Sequence, residues 1–228
     1  ATANGTVKKT SLDQYSRPRS VGLRAVDLVE GDQLVGTAII DDNSDVMLLS
    51  SEGKAVRFAS TDARAMGRVS KGVRGMRLPE EHSVISMVVP ETDGFLLTVC
   101  ENGYGKRTRV SDYRVTNRGG QGVANIVTSP RNGSVVASFA VTEDDQLMLA
   151  TDMGKVIRIR VSGDETDQIR VAGRQTQGVT LFSIDSEEKV VSVGLIQEKD
   201  TGEDDLDANM DTENPDNQMP DTNEQPEE

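Results

Sequence analysis

The chain has 228 residues, 38 of them Asp or Glu and 25 Lys or Arg, so its formal charge is −13, and it has one histidine and one cysteine. A lone Cys100 excludes an internal disulfide framework and fits a reducing cytoplasm, and no apolar run approaches the roughly 18 residues that cross a bilayer, so no membrane partner is expected. The charge is uneven: residues 198–228 hold 13 acids and one lysine, which leaves 25 acids and 24 bases in the rest.

In chain order, "ATANGTVKKT" opens the sequence without an initiator methionine or the basic-then-apolar order of a signal peptide, and reads as cut from a longer chain. Short branched runs follow, among them "QLVGTAII" (33–40), "DVMLLSS" (45–51), "KAVRFA" (54–59) and "GVRGMRL" (72–78). Turn chemistry such as "SEGK", "ENGYG", "TDMG" and "PRNG" bounds such runs, which predicts strands; helical spacing is sustained nowhere. The turns repeat. Glycines 5, 53, 103 and 154 open "NGTVKKT", "EGKAVRF", "NGYGKRT" and "MGKVIRI", and glycines 22, 72, 122 and 178 sit in "SVGLRAVDL", "SKGVRGMRL", "GQGVANIVT" and "TQGVTLFSI". The last step of the second series is longer and coincides with an extra polar stretch, "SGDETDQ" at 162–168, where a loop insertion is expected.

A period of about fifty residues with several short strands predicts an all-β, propeller-like array of about four blades over residues 1–197. The first blade lacks its leading strands, and "KVVSVGLI" at 189–196 completes or closes the array. The segment 198–228 is too acidic and too poor in branched apolar residues to offset its ordering entropy, and reads as disordered.

Basic residues recur at matched places. The fourth residue after each first-series glycine is Lys9, Arg57, Arg107 or Arg158, and alternation along a strand predicts that this column points out of the core. Lys106 precedes Arg107. The fourth residue before a second-series glycine is Arg68, Arg118 or Arg174; at the first such place Arg17 and Arg19 flank a proline. Residues 64–78 contain Arg64, Lys71 and Arg74 among other cations and no acid. In an array of similar blades these columns would form a positive belt that neutralises successive phosphates and releases counterions. Four Phe, three Tyr and no Trp argue against a stacking platform for single strands, so double-stranded DNA is the expected partner. Two other readings remain open: a solvated strand face that limits edge pairing, and a propeller that binds proteins through its faces. Arg68, Arg118 and Arg174 are expected to be exposed.

Catalysis is not expected. Tyr15, Tyr104 and Tyr113 read as packing or rim residues, His82 has no Cys or His nearby for zinc, and pairs such as Asp41-Asp42 and Asp144-Asp145 read as hairpin turns. Cys100 reads as a small buried strand residue.

The ordered motifs "ATANGTVKKT", "EGKAVRF", "RAMGRVSKGVRGMRL", "NGYGKRT" and "GRQTQGV", ending in an acidic tail, resemble the C-terminal DNA-wrapping domain of bacterial DNA gyrase A proteins. The resemblance covers about residues 1–197 and implies a β-pinwheel, in which blades exchange a strand with a neighbour and DNA wraps the basic outer rim. The chain has fewer blades than the family's usual array. It also lacks the family's Gln-Arg-Arg-Gly-Gly-Lys-Gly signature, of which "TNRGGQG" (116–122) is a degenerate cousin with Arg118 in the arginine role. The resemblance further implies partnership with gyrase B and the rest of gyrase A in a heterotetramer associated with the nucleoid. ATP and magnesium would act elsewhere in that holoenzyme, with no cofactor in this chain. The equivalent domain of topoisomerase IV is the nearest rival.

Overall fold

The computed structural model describes residues 1–162 and 168–196. Its strands are β1 (Thr6–Val7), β2 (Asp45–Ser50), β3 (Lys54–Ala59), β4 (Val73–Arg74), β5 (Val84–Val88), β6 (Phe95–Cys100), β7 (Tyr104–Arg109), β8 (Val123–Ala124), β9 (Val135–Val141), β10 (Gln146–Thr151), β11 (Val156–Arg160), β12 (Val179–Thr180) and β13 (Val190–Ile196). No α-helix occurs among the described residues. The segment read as a disordered tail, and most of the "SGDETDQ" insertion, lie outside them.

All the sheets are antiparallel, and their strand orders are β1-β4, β5-β2-β3-β8, β9-β6-β7-β12 and β11-β10-β13. In each complete sheet a tight hairpin (β2-β3, β6-β7) takes a third strand from its own repeat and a short fourth strand from the next. The exchanged strands are β4, β8 and β12: Thr6 pairs with Arg74, Ala55 with Val123, and Gly105 with Val179. Glycine makes the exchange possible. At Gly53 φ is +87°, and its carbonyl accepts the N–H groups of Asn125 and Ile126 at 2.8 and 3.1 Å; a Cβ there would collide with the Ile126 carbonyl oxygen. Gly5 receives Gly75 and Met76 in the same way, and Gly103 receives Leu181 and Phe182.

Packing explains why some strands are apolar throughout and others alternate. In β2, Val46 and Leu48 join a cluster with Val7, Phe58 and Met76, whereas Met47 and Leu49 turn the other way onto Leu96 and Tyr113 of the next repeat. Both faces of that sheet are covered, so the run "VMLL" is apolar at every position. In β10 only Leu147 and Leu149 are fully buried, against β6 and β13, while Met148 is exposed. The last sheet has one covered face and reads as an alternating strand.

The stretch 33–40 differs from its predicted strand. Only Leu34 makes a ladder bridge, to Thr2, because the strand that pairs with this stretch in later repeats is represented here by Ala1 and Thr2 alone. By contrast β13 pairs along its length with β10 and completes the last sheet.

Candidate nucleic-acid interface

Three of the four second-series turns bring an arginine against the equivalent segment one repeat earlier, which for Arg118 and Arg174 is the exchanged strand β4 or β8. Arg68 donates through a terminal N–H to the Arg24 carbonyl at 3.4 Å, Arg118 donates to the Arg74 carbonyl, and Arg174 donates to the Ala124 carbonyl at 3.0 Å. Residues 24, 74 and 124 each lie two places after a series glycine, so one contact recurs at three successive repeats. In "TNRGGQGV" the N–H of Gly119 (φ +84°) reaches the Gly75 carbonyl at 2.7 Å, and the Gly120 carbonyl accepts the Arg77 N–H at 2.9 Å. The loop therefore runs along residues 74–77 and gathers Arg118 with the exposed Arg74 and Arg77. Lys8 adds to the next cluster by donating to the carbonyls of Ala25 and Arg68. Its ammonium is held below the usual lysine range, first by burial and then by the Arg68 charge.

Arg68, Arg118 and Arg174 are half-buried, not exposed as expected, because each ties its turn to the preceding repeat, Arg68 and Arg174 through one donor and Arg118 through two, the second being Nε on the Asp62 carbonyl at 3.3 Å. A guanidinium has five donors, so such a tie leaves others for an anion. Of the other predicted cations Arg17, Arg19, Arg64, Lys71, Arg74 and Arg158 are exposed, with Arg158 Nε on the Gln146 side chain at 2.7 Å. Lys9 is half-buried and pairs with Asp42 at 3.3 Å.

Three predicted contacts are corrected. The Arg57 side chain is only 10% exposed and pairs with Asp45 at 2.7 Å. It also donates to the carbonyls of Val110 and Tyr113 in the next repeat. Arg107 is 1% exposed; its Nε donates to the Ile169 carbonyl at 2.8 Å and its guanidinium lies 5.3 Å from the centre of the Phe95 ring. Lys106 is wholly buried, with Nζ on the Gly173 carbonyl at 2.6 Å. The column after the first-series glycines points out of its own sheet, but the space it enters belongs to the following repeat. These side chains join repeats and do not face solvent.

The structure also reveals a column that alignment on the fourth residue before glycine missed. Arg64, Arg114 and Arg170 stand eight residues before Gly72, Gly122 and Gly178, are all exposed, and follow the buried Ala63, Tyr113 and Ile169. None forms an ion pair with a described residue. The signal was a repeated arginine at the other end of the same turn.

The remaining polar candidates are structural. His82 Nδ1 lies 3.2 Å from Ser51 Oγ. The Tyr113 hydroxyl donates at 2.5 Å to Asn125, which bonds Thr98 in turn. Burial pushes the Cys100 thiol up to about 12, so native protein should resist thiol alkylation at pH 8 and react only on unfolding; rapid native labelling would contradict this burial. Among the described residues no three His, Cys, Asp or Glu side chains converge as a metal site, and no helix is long and apolar enough to cross a membrane.

Comparison with known proteins agrees with this architecture. The family described as "DNA gyrase C-terminal domain, beta-propeller" matches residues 1–41, 44–91, 94–142 and 145–197. The DNA gyrase A protein of Pseudomonas aeruginosa is 48% identical over 204 residues, and that of Escherichia coli 46% over 208; the alignments cover 90% and 91% of this chain but 22% and 23% of those proteins. Among solved structures, a DNA gyrase A C-terminal domain superposes with a TM-score of 0.71 at 28% identity, covering 85% of this chain and 63% of that one. The C-terminal domain of a DNA topoisomerase IV gives 0.78 at 24% identity, covering 86% and 60%, and speaks to the fold alone.

Proposed function

Because the chain belongs to the DNA gyrase C-terminal domain, beta-propeller family, we propose that it binds and bends double-stranded DNA without catalysing any step. The observation that carries this reading is the recurrence of Arg68, Arg118 and Arg174 on successive turns, each bonded to the matching carbonyl of the preceding repeat, with further cations beside them. Such an edge offers guanidinium groups and glycine-rich backbone to consecutive phosphates without reading bases. Within a whole gyrase the bent duplex would be passed to the cleavage machinery of gyrase A and gyrase B for ATP-dependent negative supercoiling in the cytoplasm. ATP and magnesium would act on those other parts. Identities of 46–48% to gyrase A proteins favour this over the topoisomerase IV counterpart.

A duplex titrated against salt tests the proposal. The logarithm of the binding constant should fall against log salt by about 0.9 for each phosphate neutralised. A flat response would instead support a protein-binding propeller. The acidic segment should oppose binding, since a tethered polyanion competes with phosphate for the same cations. Deleting residues 198–228 is therefore expected to tighten DNA binding, most at low salt, and an unchanged affinity would reject that role.

A further inference from the structure

Val115 and Val171 are 52% and 40% exposed, and each directly follows an arginine, Arg114 or Arg170, that is itself exposed. Ala65 holds the same place after Arg64 and is exposed too. The three stretches read "RAMGR" (64–68), "RVTNR" (114–118) and "RVAGR" (170–174), so each carries an arginine at both ends and an apolar residue second.

The preceding repeat fixes the backbone around that apolar residue. The N–H of Met66 donates to the Lys9 carbonyl at 2.8 Å, that of Thr116 to the Arg57 carbonyl at 2.7 Å and that of Ala172 to the Arg107 carbonyl at 2.8 Å. Ladder bridges pair Ala65 with Lys9 and Val171 with Arg107. In all three stretches the residue before the first arginine is buried, the next two are exposed and the fourth is half-buried. The second arginine of the following repeat then closes in. Arg118 Nε reaches the Asp62 carbonyl at 3.3 Å, two residues before Arg64, and the Arg174 guanidinium lies 5.9 Å from the centre of the Tyr113 ring, beside Arg114. Ala65 and Val115 therefore stand where cations of two repeats meet.

Strand propensity alone would be met as well by threonine at these places. A protein partner calls for a contiguous apolar patch of several hundred Å², and single valines set between arginines in separate repeats do not supply one. A nucleic-acid backbone alternates charged phosphates with sugars whose carbon face is apolar, and that alternation matches arginine, valine, arginine. We propose that Val115 and Val171, and Ala65 more weakly, pack on deoxyribose carbons of the strand whose phosphates the flanking arginines hold. This contact rests on the duplex-binding reading and adds an attraction of another kind. The methyl groups exclude water from the sugar and bring the duplex to van der Waals distance, which supplies affinity that salt does not screen. The bent duplex is then held at each junction by apolar packing as well as by charge.

Alanine already occupies the place at 65, so the frame accepts it, and Val115→Ala with Val171→Ala removes methyl groups without touching a cation or a hydrogen bond. Two partly covered methyls per site correspond to roughly a fourfold loss, so the double variant of the 228-residue chain should bind a linear duplex about fifteenfold more weakly than wild type. Its slope against log salt should be unchanged, since no phosphate contact is lost. Ala65→Val should tighten binding by about fourfold. Hydroxyl radicals cleave DNA by taking sugar hydrogens, so deoxyriboses protected by the wild type should become cleavable in the double variant. Thermal melts followed by circular dichroism should place all three proteins within the range of ordinary surface substitutions. A steep wild-type slope together with wild-type affinity and sugar protection in the double variant, or an Ala65→Val protein no tighter than wild type, would overturn the sugar contact and leave duplex binding standing. A reduced slope in the double variant would mean that the valines only position the arginines, which also overturns it. A flat wild-type slope would remove the duplex reading itself.

Discussion

Replacing Arg64, Arg114 and Arg170 together with glutamine is expected to weaken duplex binding by a few hundredfold near 0.1 M salt and to reduce the salt slope by about 2.7, three phosphate contacts being lost. The three side chains are exposed and make no ion pair with a described residue, so their removal leaves no buried group orphaned. The unfolding transition should therefore move by no more than a typical surface change, within about 0.5 kcal/mol per site. Arg57→Gln provides the contrast. It removes a largely buried guanidinium that holds Asp45 and two carbonyls of the next repeat, so stability should fall by about 3 kcal/mol while the salt slope of the folded protein barely changes. Titrations of both variants against salt, paired with urea melts, separate the two classes of arginine. If the triple variant binds with unchanged affinity and slope, the duplex follows another edge.

Those two outcomes show where a one-dimensional reading of this chain works and where it stops. The repeat was legible because Gly53 or Gly122 combines a left-handed backbone with a close approach by another repeat, and both demands leave glycine at a fixed interval. The runs in β2 and β6 were legible because each is covered on both faces. The exchange itself was expected only from the family resemblance and not from the residues, since the partners of Ala55 and Gly105 lie far along the chain and two-residue strands carry no periodicity. The stretch 33–40 has strand chemistry but too few partners to form a ladder. The basic columns were found and partly misassigned for one reason: alternation says which face of a sheet a side chain occupies, not whether that face meets water or another blade. Arg57, Arg107 and Arg158 occupy one position, and only Arg158, in the last sheet, meets solvent.

The burial of Lys106 should make stability depend on alkaline pH. Its ammonium has one protein acceptor, the Gly173 carbonyl, and its pKa falls from 10.5 to about 8, first through burial and then through the nearby Arg174 charge; Cys100 and Asp112 act weakly the other way. Between pH 8 and 10.5 the unfolded chain therefore binds a proton that the folded chain has released, so stability rises with pH across that window. Below pH 8 both states are protonated and the full penalty, about 3 kcal/mol, is present. Lys106→Met keeps the shape of the side chain without the charge, and the exposed Gly173 leaves its carbonyl open to water. The variant should be more stable than wild type at pH 7, and the difference should shrink from about pH 8 upward and approach zero only above pH 10.5. Urea midpoints measured at intervals over this range give the test: parallel curves for the two proteins would mean that the folded lysine keeps its ordinary pKa, its ammonium finding water, and that the junction between the last two repeats tolerates the cation without strain.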